Sequence, residues 1–262
     1  MAAHRFFASN ANAAVYTVGA TVPVLLDTDA LRHASQVARV RVGECIEVVV
    51  RGEWRTWRCE VLTIDIEELT VRVLELLAST ELPMTLDLFW GYAKGDKNER
   101  IVRSAVELGI RTLCPVRFAR CEVRTSGFDE ARLTKKRARL EAVTRSAAAQ
   151  AHRDIIPEVF PLISIDELGQ RLTRYDAVVV LWEEADAEPS LSTAVSKAMC
   201  AGATSVALIV GPEGGIEAAE VAKLQAHGAV TATLGNSILR VETACAAACA
   251  IAAEAARTQM SV

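Results

Sequence analysis

The rhythm of hydrophobic and polar positions changes near residue 80. Before it, short alternating runs dominate. Residues 44–50 and 54–64 alternate on either side of Arg51, Gly52 and Glu53 and predict a hairpin. Residues 69–76 add a strand with Val71 and Val73 on one face, while 30–40 has helical spacing. Several short strands with one helix predict a compact β-barrel. The stretch 77–83 is polar and ends in proline, which places the boundary between a first domain, 1–77, and a second, 78–262.

Beyond the boundary, strand and helix patterns take turns. Strands are predicted at 85–92, 112–116, about 157–162, 177–182, 206–210 and 229–234. Helices are predicted at 96–108, 129–150, 165–172 (capped by Ser164), 190–200, 218–227 and 242–257. Alternation of this kind implies an α/β domain, a parallel sheet with helices on both faces.

Composition adds exclusions. The 262 residues are 51% hydrophobic and 24% charged, as in a globular protein with a real core. No apolar run reaches the roughly 20 residues of a membrane span, and the opening MAAHRFF is expected not to be a secretory signal. Seven cysteines without a CxxC pair predict a reducing cytoplasm, with neither disulfide framework nor zinc site. Four histidines lack ligand spacing, so no metal is expected. The net charge of −4 hides a segregation: residues 94–153 carry 15 Lys/Arg against 7 Asp/Glu. A basic band inside an acidic chain points to a polyanion, the alternative being a solvated helix face. Lys94, Lys97, Arg100 and Arg103 lead into one helix, and Arg117, Arg120 and Arg124 follow the next strand, all suited to backbone phosphates. Lys135, Lys136, Arg137 and Arg139 must wrap around their helix and cannot all face one partner.

Two glycine-bearing loops carry the candidate chemistry. The apolar run 206–210 ends abruptly at Gly211, Pro212, Glu213, Gly214 and Gly215, and 229–234 ends at Gly235. If the two strands are adjacent, the loops share one crevice at the carboxyl ends of the sheet. The spacing is neither GxGxxG nor a Walker loop, which argues against a dinucleotide or nucleoside triphosphate. Glycines let a ligand lie against main chain, although one such loop is as readily a structural turn. Ile238 and Leu239, apolar residues in a loop, suit a flat uncharged ring. Glu213 suits a cationic group. Arg240, at the mouth, suits a phosphate or a base, or else pairs with Glu242 or Glu213.

These residues carry a resemblance. GPEGGIEAAE, LGNSILRVETA, KGDKNERIVRSAVELGI and RFARCEV, with RFF and HASQVARVRVGE upstream, resemble the 16S ribosomal RNA (uracil-N3)-methyltransferases over most of the chain. The chain departs from that family's pattern at Ala149-Gln150-Ala151 (usually Glu-Gln-Ser), at Ala38-Arg39 (usually Leu-Arg) and at Asn98 (usually Met). The resemblance implies a SPOUT-type parallel-sheet methyltransferase domain with a C-terminal deep trefoil knot, preceded by a small PUA-like β-barrel domain. It implies a cytoplasmic homodimer that uses S-adenosylmethionine to methylate N3 of uridine 1498 in 16S rRNA of the 30S subunit. The cofactor would lie on Leu181, Gly211, Pro212, Gly215, Leu234, Gly235, Ile238 and Leu239. Arg240 would stabilise the uridine anion, with Glu213 as a candidate base. Arg5, Arg39, Lys94, Lys97, Arg100, Arg120 and Arg153 would bind RNA. Two other readings stay open here: a SPOUT 2′-O-ribose RNA methyltransferase and a non-catalytic RNA-binding ribosome assembly factor.

Overall fold

The computed structural model describes residues 3–9, 15–27, 31, 34, 39–50, 54–65, 68–123, 129–183 and 189–258. Most of the expected helix 30–40, the turn 51–53, His33 and Arg124 lie outside the described residues. The chain divides into two compact units, Met1–Glu81 with Ala148–Ile155, and Leu82–Ala147 with Ile156–Val262. The division thus falls a little beyond residue 77, and a short later segment belongs with the first unit.

The first unit is a curled five-stranded mixed sheet. It comprises β1 (Arg5–Ala8), β2 (Thr21–Leu25), β3 (Cys45–Val50), β4 (Arg55–Ile64) and β5 (Glu68–Leu76), in the order β1-β3-β4-β5-β2. Only β1–β3 is parallel. Irregularities in β4 at Arg58/Cys59 and Val61/Thr63 sharpen the coil. The sheet curls far enough that Ser9, just past β1, donates its amide and its hydroxyl to Leu25 O of β2, both at 2.8 Å. Pro23 is tolerated because β2 is an edge strand. Val22, Val24, Ile46, Val48, Val61, Val71 and Val73 fill the concave side, each worth roughly 1.5–3 kcal/mol when fully buried. The alternating pattern predicts β3, β4 and β5. It does not predict β1, because all four of its residues are buried and no alternation exists to read.

Arg5 and Arg153, expected to face RNA, turn inward within this unit. Arg5 binds Glu47 Oε2 at 2.8 Å and Asp154 Oδ1 at 2.9 Å, and also donates to His152 O. Asp154 accepts further from Thr56, Ser79 and the Thr80 amide, and His152 Nδ1 lies 2.8 Å from Glu47. Arg153 forks onto Glu81, which also accepts from the amides of Asp154 and Ile155. The two arginine side chains are only 3% and 4% exposed. A guanidinium in low dielectric requires paired carboxylates, and these supply them.

The second unit is built on a seven-stranded sheet whose pairs are all parallel. Its strands are β6 (Thr85–Gly91), β7 (Thr112–Arg117), β8 (Glu158–Val159), β9 (Ile163–Ser164), β10 (Ala177–Leu181), β11 (Ser205–Val210) and β12 (Ala229–Ala232). The order is β12-β10-β11-β6-β7-β8, with β9 also on β7. The helices are α1 (Lys97–Glu107), α2 (Glu130–Gln150), α3 (Ile165–Leu172), α4 (Leu191–Cys200), α5 (Ala218–Ala226) and α6 (Val241–Thr258). The expected strand at 157–162 resolves into β8 and β9, separated by a stretch containing Pro161, which has no N–H to continue the ladder. Ser164 caps α3 in a capping box with Glu167. Apolar runs in β10 and β11 are buried, as sheets covered on both faces require. In α6 the buried positions are almost all Ala and Cys, which lets it pack closely against α1, α4, β6 and β11.

The two glycine-loop strands, β11 and β12, are not adjacent. Both flank β10. The end of β10 therefore lies between the two loops.

Candidate functional site

The carboxyl ends of β10, β11 and β12 surround a cavity of about 360 Å³, within the size range of small-ligand pockets, roughly 300–1,000 Å³. Leu181, Gly211, Pro212, Gly215, Leu234, Gly235, Ile238 and Leu239 all line it, as do Arg240, Glu213 and Lys97. Most of these residues lie on the two glycine loops, and the topology adds Leu181 from the end of β10 and Lys97 from the start of α1 to the same site.

Its backbone is shaped by glycines. Gly215 has φ +76°, and a Cβ there would collide with the Glu183 carboxylate. A Cβ on Gly211 would sit 2.7 Å from Ile216 Cγ1, and one on Gly91 would run into the Pro212 backbone. The GPEGG loop thus lies directly on β6. Trp182 Nε1 donates to Ile216 O at 3.2 Å and fixes the loop's far end. In the second loop Thr233 Oγ1 accepts from the Gly235 amide at 3.0 Å, holding the turn in which Gly235 takes φ +107°. Ile238 is 91% exposed at the rim, an apolar side chain with nothing of its own to cover it among the described residues.

The polar groups are sparse and mostly engaged. Glu213 Oε1 accepts from Lys97 Nζ at 2.8 Å and from the Lys94 amide at 3.2 Å. Burial alone raises the Glu213 pKa, but the Lys97 ammonium and backbone amides outweigh it, so the carboxyl lies below its ordinary value. The same hydrogen bond, opposed in part by desolvation, holds Lys97 above its ordinary value. Both groups are charged at neutral pH. Glu213 Oε2 and Glu242 Oε2 are buried without a hydrogen-bond partner among the described residues. Arg240 is exposed and pairs with neither Glu213 nor Glu242.

Among the expected RNA-facing cations, Lys94, Arg100, Arg120 and Arg39 are exposed, Arg39 with φ +51° in the first unit. Arg100 pairs with Asp96, and Arg120 lies 3.6 Å from Glu217. Buried Glu220 accepts from the Ala119 amide at 2.8 Å, which ties the loop after β7 to α5. On α2, Arg137 pairs with Glu141, Arg139 with Glu99, and Lys136 sits 6.0 Å over the Tyr92 ring. Sequence reasoning missed Trp182, Glu183 and Thr233. The first two follow β10 just as the glycine loops follow their strands, so the carboxyl-end rule applied to β10 finds them.

An open parallel sheet whose carboxyl-end loops enclose a backbone-lined cavity, with exposed cations on neighbouring loops, defines an α/β protein with a small-ligand pocket. Comparison with known proteins narrows that class. The chain belongs to the RNA methyltransferase family, whose domain matches residues 80–253. It is 32% identical over 217 residues to the ribosomal RNA small subunit methyltransferase E of Bacillus subtilis, covering 82% of this chain and 83% of that one. To the Mycobacterium bovis protein of the same name it is 35% identical over 228 residues, covering 86% and 83%. Among solved structures, a crystal structure of a hypothetical protein superposes with a TM-score of 0.85 at 29% identity, covering 97% of this chain and 99% of that one. The Neisseria gonorrhoeae methyltransferase E bound to S-adenosyl methionine gives 0.76 at 26% identity, covering 95% and 96%. The expected family and the SPOUT-type α/β domain preceded by a small β domain are borne out. No helix among the described residues is long and apolar enough to cross a membrane.

Proposed function

We propose that this chain transfers a methyl group from S-adenosylmethionine to N3 of uridine 1498 in 16S rRNA. The observation that carries the reading is convergence: eight separately expected residues line one backbone-walled cavity with Arg240 beside them. The cavity fits the cofactor's chemistry. Its walls are largely main chain and aliphatic side chains, and Lys97 is spent on Glu213, which leaves Arg240 at the exposed mouth as the one cation of the lining without a carboxylate partner among the described residues. An adenine ring suits Leu234, Ile238 and Leu239, and carboxylates beside the cavity suit a cation.

When bound, the cofactor supplies an electrophilic methyl group. The protein's residues do the rest. Uridine N3 carries a proton and becomes a nucleophile only when that proton leaves, here to solvent water. Arg240, a permanent cation with no competing carboxylate among the described residues, stabilises the resulting anion and eases proton loss. Glu213 is ionised and tied to Lys97, which makes it a weak base, and we assign it to holding the loops together. Aligning nucleophile and methyl group supplies up to about 7–11 kcal/mol of barrier reduction. The target base must be unpaired or flipped out for N3 to be reached.

The proposal includes a homodimer, a substrate presented within the 30S subunit, a cytoplasmic location and a trefoil knot of the C-terminal segment. Membership of the RNA methyltransferase family supports the last. Incubation with unmodified 30S subunits and methyl-labelled cofactor, followed by nuclease digestion and mass analysis, tests the reading. Label is expected in N3-methyluridine at position 1498. Label in a ribose 2′-O-methyl group, or none, overturns it.

A further inference from the structure

We propose that Asn98 is a positioning residue for the cofactor cavity, acting through Lys97 and Glu213; the inference rests on the cofactor reading above. Asn98 lies in the first turn of α1 with its side chain buried, 6% exposed. Its Oδ1 accepts from Trp90 Nε1 at 2.9 Å and from the Ala93 amide at 3.1 Å, and its Nδ2 donates to Ala93 O at 2.6 Å. The carboxamide therefore pairs with both the N–H and the C=O of Ala93, as a neighbouring strand would, and anchors the end of β6 through Trp90. A primary amide has both donor and acceptor capacity for this, and no apolar residue does.

What the grip fixes is the loop from Gly91 to Lys97. The next residue, Lys94, gives its amide to Glu213, and Lys97, adjacent to Asn98, gives its ammonium to the same oxygen. Gly91 lies against the Pro212 backbone so closely that no side chain fits between them. The loop is thus held at one end by contact with Pro212 and in the middle by Asn98, and it delivers two donors to Glu213 inside the cavity. Without Asn98 the Ala93 amide, the Ala93 carbonyl and the Trp90 indole lose their partner in a buried place, which costs far more than losing a bond at the surface. The local answer is movement of the loop, and with it both donors to Glu213.

The test uses the full chain and three variants. Asn98→Leu keeps the volume and removes all three bonds. Asn98→Asp keeps both acceptor bonds and removes the donor. Leu172→Ala, at the buried end of α3, lowers stability while leaving the three Asn98 bonds in place. Cofactor affinity is read by titration calorimetry with S-adenosylmethionine, and loop order by amide exchange of Ala93 and Lys94 without ligand. Asn98→Leu is expected to weaken binding at least tenfold and speed exchange at both amides, Asn98→Asp to fall between, and Leu172→Ala to stay within twofold while its melting temperature falls. In a Glu213→Gln background, Asn98→Leu is expected to add little, since both act on one unit. Binding by Asn98→Leu within twofold of wild type, or full additivity with Glu213→Gln, overturns the proposal. If the wild type itself binds no cofactor, the functional reading fails, and the exchange measurement still decides whether Asn98 clamps the loop.

Discussion

Two glycines in the cavity share a left-handed backbone yet differ in what surrounds them. Gly215 (φ +76°) is pressed against the Glu183 carboxylate, whereas the position a Cβ would take on Gly235 (φ +107°) is open. Strain alone costs an alanine roughly 1–2 kcal/mol at such an angle, and a collision adds to it only at Gly215. Gly215→Ala is therefore expected to weaken cofactor binding more than Gly235→Ala, which weakens it by about tenfold, the equivalent of ~1.4 kcal/mol; titration calorimetry distinguishes them. Equal losses would mean that Glu183 yields freely. Arg240 calls for a different readout, because its proposed role is in the transition state. Arg240→Ala is expected to lower the rate of methyl transfer by roughly 10²–10³, the scale of losing a donor to a developing anion, with cofactor affinity within about threefold of wild type. A wild-type rate with unaltered RNA affinity removes Arg240 from the mechanism.

At the scale of elements, the first unit depends on charges that look as if they belong outside. Arg5 at the start of β1 is clasped by Glu47 of β3 and by Asp154. Removing one partner of a buried ion pair strands the others, at about 3–5 kcal/mol. Arg5→Ala is expected to lose that much in urea unfolding, whereas Arg39→Ala, on an exposed side chain, stays within about 0.5 kcal/mol. A small loss at Arg5 would show that the unit closes without the clasp. The contrast marks where sequence reading stops. Most strands and helices of the second unit are legible because apolar periodicity reports burial directly, and the endings at Gly211 and Gly235 are legible because glycine reports backbone geometry. Arg5 is opaque because its partners lie far away at residues 47 and 154, and no local pattern encodes them. The order of the strands is opaque for the same reason: that β10 separates β11 and β12 follows from pairing over long separations. Glu183 and Trp182 are opaque as site residues because the stretch that follows β10 carries no glycine to signal a loop.

For the whole molecule the decisive quantity is how charge is distributed. Net charge is −4, yet residues 94–153 carry a net of +8, and exposure sorts that band further. Arg153 of this band, like Arg5 outside it, is buried and neutralised, so neither releases counterions on binding RNA. Lys94 and Arg103 are exposed, with side chains that make no ion pair among the described residues. Cations of this second kind displace condensed counterions, and each contributes about −0.7 to −0.9 to the slope of log affinity against log salt. Affinity for an unmodified 16S rRNA fragment, followed by fluorescence anisotropy between about 50 and 200 mM salt, is therefore expected to fall steeply despite the acidic overall composition. Lys94→Ala and Arg103→Ala should each flatten the slope by about one such step, weakening binding to matched and unrelated RNA alike because phosphate contacts carry no sequence information. Arg153→Lys, if it folds, should leave the slope unchanged. A salt-independent affinity would mean that the basic band is a solvated surface and that RNA is held by other means.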